Sequence, residues 1–250
     1  MMSATFVHDL ATVLRKELKE LFASGEGRSR YLSLVILGIF GVVLPLTTGL
    51  RTPTWATSAV PAGLYGLALP LLLIMSVGAD SFAGERERHT LETLLASRLP
   101  DQAIFFGKLF SITVFGWGQS LLAALVGLLV TNVAHKGALT LYPPSIVVAI
   151  VVLGLLVALV GAATAALVSL RASTVRQASQ MLSIGLMVII FGLTFGIQAL
   201  PAQVRQQLNS GANSGAAGQA LAAALAVLAV ILILWAMALF RRAKLIISAS

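Results

Sequence analysis

The side chains able to do chemistry in this chain crowd into one stretch, "GERERHTLETLLAS", residues 84–97. Glu85, His89 and Glu92 follow one another at four- and three-residue spacing, so a helix would bring all three to one face, as helical metal sites require. Asp80 and Glu87 add two more carboxylates. Arg86 and Arg88 are placed to neutralise these acids, however, and no second histidine stands at metal-site spacing; His8 and His135 are isolated. The three aspartates, Asp9, Asp80 and Asp101, form no pair of the kind that holds a magnesium diphosphate. Neither HExxH nor GxxxxGK[ST] occurs, and no Ser–His or Ser–Lys pair is visible within the apolar segments. With no cysteine, disulfides, thiolate metal sites and cysteine nucleophiles are excluded. The reading is a chain that binds no metal or cofactor itself and is not an enzyme on its own.

The elements around this island are apolar. Of 250 residues, 58% are hydrophobic and only 10% charged, against ~25% charged in a soluble domain. Mean hydropathy is +0.96, which reads as an all-α integral membrane protein. Six segments satisfy the ~17–25 residues that a crossing helix needs: about 31–50, 61–79, 109–131, 145–170, 181–200 and 219–240. Pro45 and Pro70 lie inside spans, where neighbouring helices must satisfy the carbonyls they free. Ahead of the spans, residues 5–23 mix acids and bases, so they lack the h-region of a signal peptide. Phe6, Leu10, Val13, Leu14, Leu18, Leu21 and Phe22 recur there at helical spacing, which predicts an amphipathic helix at the membrane surface. The whole chain, 1–250, is then one transmembrane domain.

Lysine and arginine orient the spans. Six crossings put the N-terminus, the loops after spans two and four, and the C-terminus on one side. That side holds Arg15, Lys16, Lys19, Arg28, Arg30, Arg86, Arg88, Arg98, Lys108, Arg171, Arg176, Arg241, Arg242 and Lys244; the other holds Arg51, Lys136 and Arg205. Fourteen against three places both termini in the cytoplasm of an inner (plasma) membrane protein. The pI near 10.6 is thereby a topology signal, with no nucleic-acid partner required. No carboxylate remains inside a span, which argues against a carrier driven by protons or sodium.

The island reads best as a protein contact. Leu91, Leu94 and Leu95 share a side of a short helix, Pro100 stops it, and Asp101 is placed to cap the helix leading into span three. In this stretch the sequence resembles the cytoplasmic loop of type-2 ABC exporter permeases. Their pattern is an acidic-basic run, then T-[LM]-E-x-L-L-x-[ST]-P, then a Gly-Lys entering the third span. Thr90, Leu91, Glu92, Leu94, Leu95, Ser97, Gly107 and Lys108 match, whereas Arg98 replaces the usual proline and the stop falls at Pro100. The "RKELKE" surface helix, the six spans and a longer outer loop before the last extend the likeness along nearly the whole chain.

The resemblance implies a half-transporter. A second permease subunit, taken as identical, would pair with this one in the lipid bilayer. Two copies of a separate ABC ATP-binding subunit would supply ATP and magnesium. Residues 84–97 would be the coupling helix seated on that ATPase, through Glu85, Arg86, Glu87, Arg88, His89, Thr90, Leu91, Glu92, Leu94 and Leu95. The N-terminal helix with Arg15, Lys16 and Glu17 would be a second contact, and Arg171 and Arg176 a third. Alternating access would open a path at the subunit interface along spans two and five, where Tyr65, Met75, Met181, Met187, Thr194 and Phe195 are the distinctive residues; for each, plain helix packing is an equal reading. The apolar spans favour an amphipathic or lipid-like cargo. Two other classes stand beside the exporter: a non-transporting scaffold or assembly subunit, independent of nucleotide hydrolysis, and a membrane-embedded enzyme, active without an ATPase.

Overall fold

A computed structural model describes residues 4–23, 35, 38–51, 55–57, 60–90, 99–135, 139–199, 201 and 215–240. Among these residues all regular structure is helical, without a strand. Helix α1 is Ala4–Ala23. Helix α2 is Ile39–Arg51, and α3 runs over residues 60–87 with a turn at Ala79. Helix α4 is Asp101–Ala134, α5 is Pro144–Arg171, α6 is Val175–Ala199 and α7 is Gly215–Leu239. Among the described residues, four helices are long and apolar enough to cross a membrane: Leu64–Glu87 within α3, α4, α5, and Gly218–Leu239 within α7.

Helix α4 is the hub. Its 34 residues span about 51 Å at 1.5 Å per residue, well beyond a hydrocarbon core of ~30 Å. The predicted third span, 109–131, is thus only the apolar middle of a rod that starts eight residues earlier. Helices α1, α2, α3 and α5 all pack along it, and α5 in turn carries α3 and α7. Small residues let α5 sit in the middle: Ala158, Gly161, Ala162, Ala163, Ala165, Ala166 and Ser169 are all buried, and backbones approach closely over them. One apolar cluster fills the α1 end of the bundle, with Phe82 stacked on Phe105 and both against Phe240. A second fills the far end, where Trp55 meets Tyr65 edge-on at 5.8 Å and Tyr142 hydroxyl donates to Ala124 O at 2.9 Å.

Both in-span prolines explain a local widening. Pro45 and Pro70 cannot donate to the carbonyl four residues back, Gly41 and Gly66, and their rings crowd it. In each helix a five-residue π turn ends two residues earlier, Ile39–Val43 and Leu64–Ala68. Each glycine keeps the crowded carbonyl free of a side chain.

Two sequence readings need correction. Asp101 does not cap α4: Pro100 occupies the cap position with extended backbone, and Asp101 is the first helical residue, where its charge favours the helix N-terminus. Residues 84–97 are not one helix, because α3 stops at Glu87 and the chain turns at Arg88–His89. Residues 91–98, part of the first span (31–34, 36 and 37) and the loop 202–214 lie outside the described residues.

The amphipathic N-terminal helix has a concrete seat. Val13 is buried against Gly107 of α4, where a Cβ would come 2.7 Å from Val13 Cβ. Gly118, on the same helix, has open space instead. Gly107→Ala should therefore destabilise the protein by about 1–3 kcal/mol through overpacking. Gly118→Ala should stabilise it by up to about 1 kcal/mol through helix propensity. Thermal unfolding in one detergent reads both, and a shift of the same sign in the two would refute this docking.

Candidate coupling site

Local hydrogen bonding ends α3 abruptly. Thr90 N–H donates to Glu85 O at 2.9 Å and His89 N–H to Arg86 O at 3.1 Å, the crossed pair of a Schellman stop. The motif needs a left-handed residue after the last helical turn, normally glycine; here His89 takes it with φ 55. Because of that turn, His89 does not share a helical face with Glu85, so the metal-like spacing of the sequence is not realised. Among the described residues no three His, Asp or Glu side chains gather to hold an ion.

Each of the four charged residues before the stop reaches a different partner within the chain. Glu85 turns inward: its Oε1 accepts from Lys108 Nζ of α4 at 2.8 Å, and Lys108 also donates to Glu17 of α1 at 2.9 Å. Lys108 is 2% exposed and Glu85 5%, so α1, α3 and α4 meet in one buried ion cluster. The same ammonium lies over the Phe82 ring at 5.7 Å. Arg86 donates to Ala172 O at 2.6 Å and to Leu170 O at 3.0 Å, closing the C-terminus of α5. Glu87 accepts from Val175 N–H at 3.1 Å, at the N-terminus of α6. Adjacent residues of opposite charge thus sit at the helix ends whose dipoles they match. Arg88 folds back onto Asp80 at 3.3 Å.

Lys16 edges the cluster, 3.6 Å from Glu85, 3.5 Å from Glu17 and 3.4 Å from Glu20. Burial alone would lower its pKa, but the three carboxylates outweigh that and hold it above the ordinary 10.5. The sign is that of a cation with partners. Its stabilising share is complete below the ordinary value and is lost as pH climbs through the raised one.

A second contact lies just behind the clamp. Ser169 of α5 inserts its hydroxyl at the turn in α3, donating to Ala79 O at 3.0 Å and accepting from Phe82 N–H at 3.1 Å and Ala83 N–H at 2.9 Å. Ser81 Oγ takes Gly78 O at 2.8 Å. A side chain inserted into the helical ladder is a recognised cause of a kink. The last two turns of α3, which carry the clamp, therefore hang on α5.

The structure redistributes the residues singled out by the sequence. Glu85, Arg86, Glu87 and Arg88 bind the chain's own helices, and Glu17 joins them; His89 and Thr90 are exposed, with the Thr90 hydroxyl donating to Glu85 O at 3.3 Å. Leu91, Glu92, Leu94 and Leu95 lie outside the described residues. Arg15 and Arg176 are exposed, and Arg171 lies over the Trp235 ring of α7 at 5.1 Å. Met181, Met187 and Phe195 are exposed on α6, with Phe195 stacked on Phe191. Thr194 lies in α6, its side chain outside the description. Met75 is half-buried against the clamp-end core, and Tyr65 is fully buried at the far end. Lys108 was missed as a site residue. Counted as one more cytoplasmic charge, it had its signal in the Gly107-Lys108 pair, of which the glycine admits Val13 and the lysine binds Glu17.

Removing one partner of a buried ion pair typically costs about 3–5 kcal/mol, whereas removing the whole set can be neutral. Lys108→Met should fall in that range by denaturant or thermal unfolding. Combining it with Glu17→Gln and Glu85→Gln should restore most of the loss. Ser169→Ala should free the turn at Ala79, and spin labels at 87 and 171 should then report a broadened distance; an unchanged distribution would refute the latch.

No curated protein matches the chain. The model of the ABC-2 family transporter protein matches residues 46–241, a stretch covering α3 to α7 and all of the clamp except its α1 contribution. The chain therefore belongs to the ABC-2 transporter family, as a multi-pass membrane subunit that works with an ABC ATP-binding subunit.

Proposed function

We propose that this chain is the transmembrane half of an ATP-driven exporter, with its clamp end in the cytoplasm and a separate ATPase seated there. Two copies of the chain and two of the ATPase form the working unit. Helices α2 and α6 complete six crossings, and α1 lies along the cytoplasmic membrane surface. Leu91, Glu92, Leu94 and Leu95 form the contact with the ATPase. Exposed His89 and Thr90 lead into it, and Arg15, Lys19 and Arg176 provide flanking contacts. ATP stays on the partner; this chain converts the partner's closure into motion of its helices.

One observation carries the reading. The turn that would receive a push from the partner is tied through three consecutive residues, Glu85, Arg86 and Glu87, to α1, α4, α5 and α6. A displacement of that turn cannot be absorbed locally, because Glu85 and Lys108 are buried together and Arg86 and Glu87 hold two helix ends. The whole clamp end must move as a body, which is the property a power-transmitting contact needs. Binding energy differing between two arrangements of that body drives alternating access. The exposed stripe of Met181, Met187 and Phe195 on α6, with Met75 on α3, lines the cargo path between two copies. Such soft apolar side chains suit an amphipathic or lipid-like cargo.

Purification of the tagged chain from native membranes should bring an ATP-binding subunit with it, and the preparation should hydrolyse ATP. The double variant Glu92→Lys, Leu95→Asp should be equally stable yet lose the partner and its ATPase. A stable chain with no ATPase in either form would sink the exporter and favour a scaffold.

A further inference from the structure

Arg171 is a cation for which the described chain supplies no acid. It is the last residue of α5, yet the carbonyls on either side of it are already taken, since Arg86 donates to both Leu170 O and Ala172 O. The Arg171 guanidinium lies instead over the Trp235 ring of α7, 5.1 Å from its centroid. Among the described residues no carboxylate comes within ion-pair distance of it. No hydrogen-bond acceptor among them takes its N–H groups either. Capping of its own helix and pairing within the chain therefore leave the place of this arginine unexplained.

Trp235 supplies the reason. Its ring is 49% exposed, and it ends an outward stripe of α7 on which Val227, Ile231 and Leu234 are exposed as well. Helix α7 packs chiefly on α5 and keeps most of its apolar run outside the bundle, so in a membrane subunit this stripe faces lipid. Trp235 stands one turn before the helix ends at Leu239. A half-exposed tryptophan at the end of a lipid-facing stripe marks the boundary between acyl chains and headgroups. Its indole N–H, too, has no acceptor among the described residues. The pair thus presents an exposed cation and a neutral donor at headgroup depth, with a flat apolar ring beneath the charge.

A phosphate with no cation of its own completes this arrangement. The planar guanidinium fork matches phosphate oxygens in pairs, and the ring contact offsets its charge only in part. A zwitterionic headgroup would bring a second cation beside Arg171, whereas an anionic one brings only negative charge. A carboxylate on the ATPase would meet the charge, but the ring beside it continues a stripe set in lipid. We propose that Arg171 and Trp235 bind the phosphate of an anionic phospholipid. One residue belongs to α5 and the other to α7, so the headgroup ties these two helices together at the clamp end. The site stands on the membrane fold alone; that its leaflet is the cytoplasmic one rests on the exporter reading.

Tryptophan fluorescence of the full chain in phosphatidylcholine nanodiscs reads this site. Lipid brominated along its acyl chains, which quenches nearby indoles, is added either as phosphatidylglycerol or as phosphatidylcholine. The chain has three tryptophans, so each variant is paired with its Trp235→Phe counterpart, and the emission lost in the pair is the Trp235 signal. In the unmodified chain brominated phosphatidylglycerol should quench that signal at about one-fifth of the mole fraction that brominated phosphatidylcholine needs, the scale of one basic residue beside anionic lipid. Arg171→Gln should make the two lipids equal. Arg171→Lys should keep most of the preference, and Arg176→Gln should keep all of it. Equal quenching by both lipids in the unmodified chain would overturn the proposal. So would a preference lost as fully in Arg176→Gln as in Arg171→Gln, which would mark a diffuse surface field. Copurification of the ATPase should be the same with Arg171→Gln as without it; loss of that partner with the lipid preference intact would give Arg171 to the ATPase instead. Should no ATPase accompany the chain at all, the exporter reading fails while the quenching still decides the lipid site.

Discussion

An ammonium group held in apolar surroundings between two carboxylates is the interaction on which the rest of this structure depends. Desolvating the Lys108 ammonium at that depth without acids beside it would cost several kcal/mol. Glu17 and Glu85 meet the need, but they come from α1 and α3, so both helices must end up against the start of α4. Chain direction follows from that. Glu85 near the end of α3 and Lys108 near the start of α4 set where the intervening segment leaves and re-enters the bundle. The Schellman stop at His89 then sets the angle at which it leaves.

Charge and small size divide the work between the two ends. At the clamp end, polar groups choose partners: Arg86 recognises carbonyls, Glu87 an amide, Ser169 an interrupted ladder. Direction and number of donors make those contacts specific. Through the middle, where hydrophobic attraction between helices is weak in lipid, alanine and glycine on α5 and α4 bring backbones close enough for dispersion and short hydrogen bonds to act. The polar clamp end thus passes into a tightly fitted apolar middle. The turn at Ala79 is where one meets the other.

Much of the fold was legible in order and type. Apolar length marked α5 within a residue at each end, and the 3.6-residue stripe marked α1 with Val13 on its inward face. The polar island stands out in the sequence as a charged stretch between apolar runs, with the Gly-Lys pair following it. The direction in which the island faces was not legible. Four charges in a row look solvated in sequence, since each has an opposite neighbour to pair with. Three of them find distant partners: Glu85 at Lys108, 23 residues on, Arg86 at the C-terminal end of α5 and Glu87 at the N-terminus of α6, 84 to 88 residues on; only Arg88 stays local, on Asp80. Periodicity carries no information on such contacts.

What the sequence by itself determined is local and compositional: helices long and apolar enough for a membrane, prolines inside two of them, and basic residues gathered outside the apolar runs. Those properties follow from hydropathy and backbone geometry within a few turns of chain. What only the tertiary structure decided is which polar groups leave water. Lys108 is a loop charge until α1 and α3 bring acids to it. Trp117 is an ordinary helix residue until a carbonyl of α5 comes within reach. A buried polar group is defined by its partner, and the partner is supplied by packing.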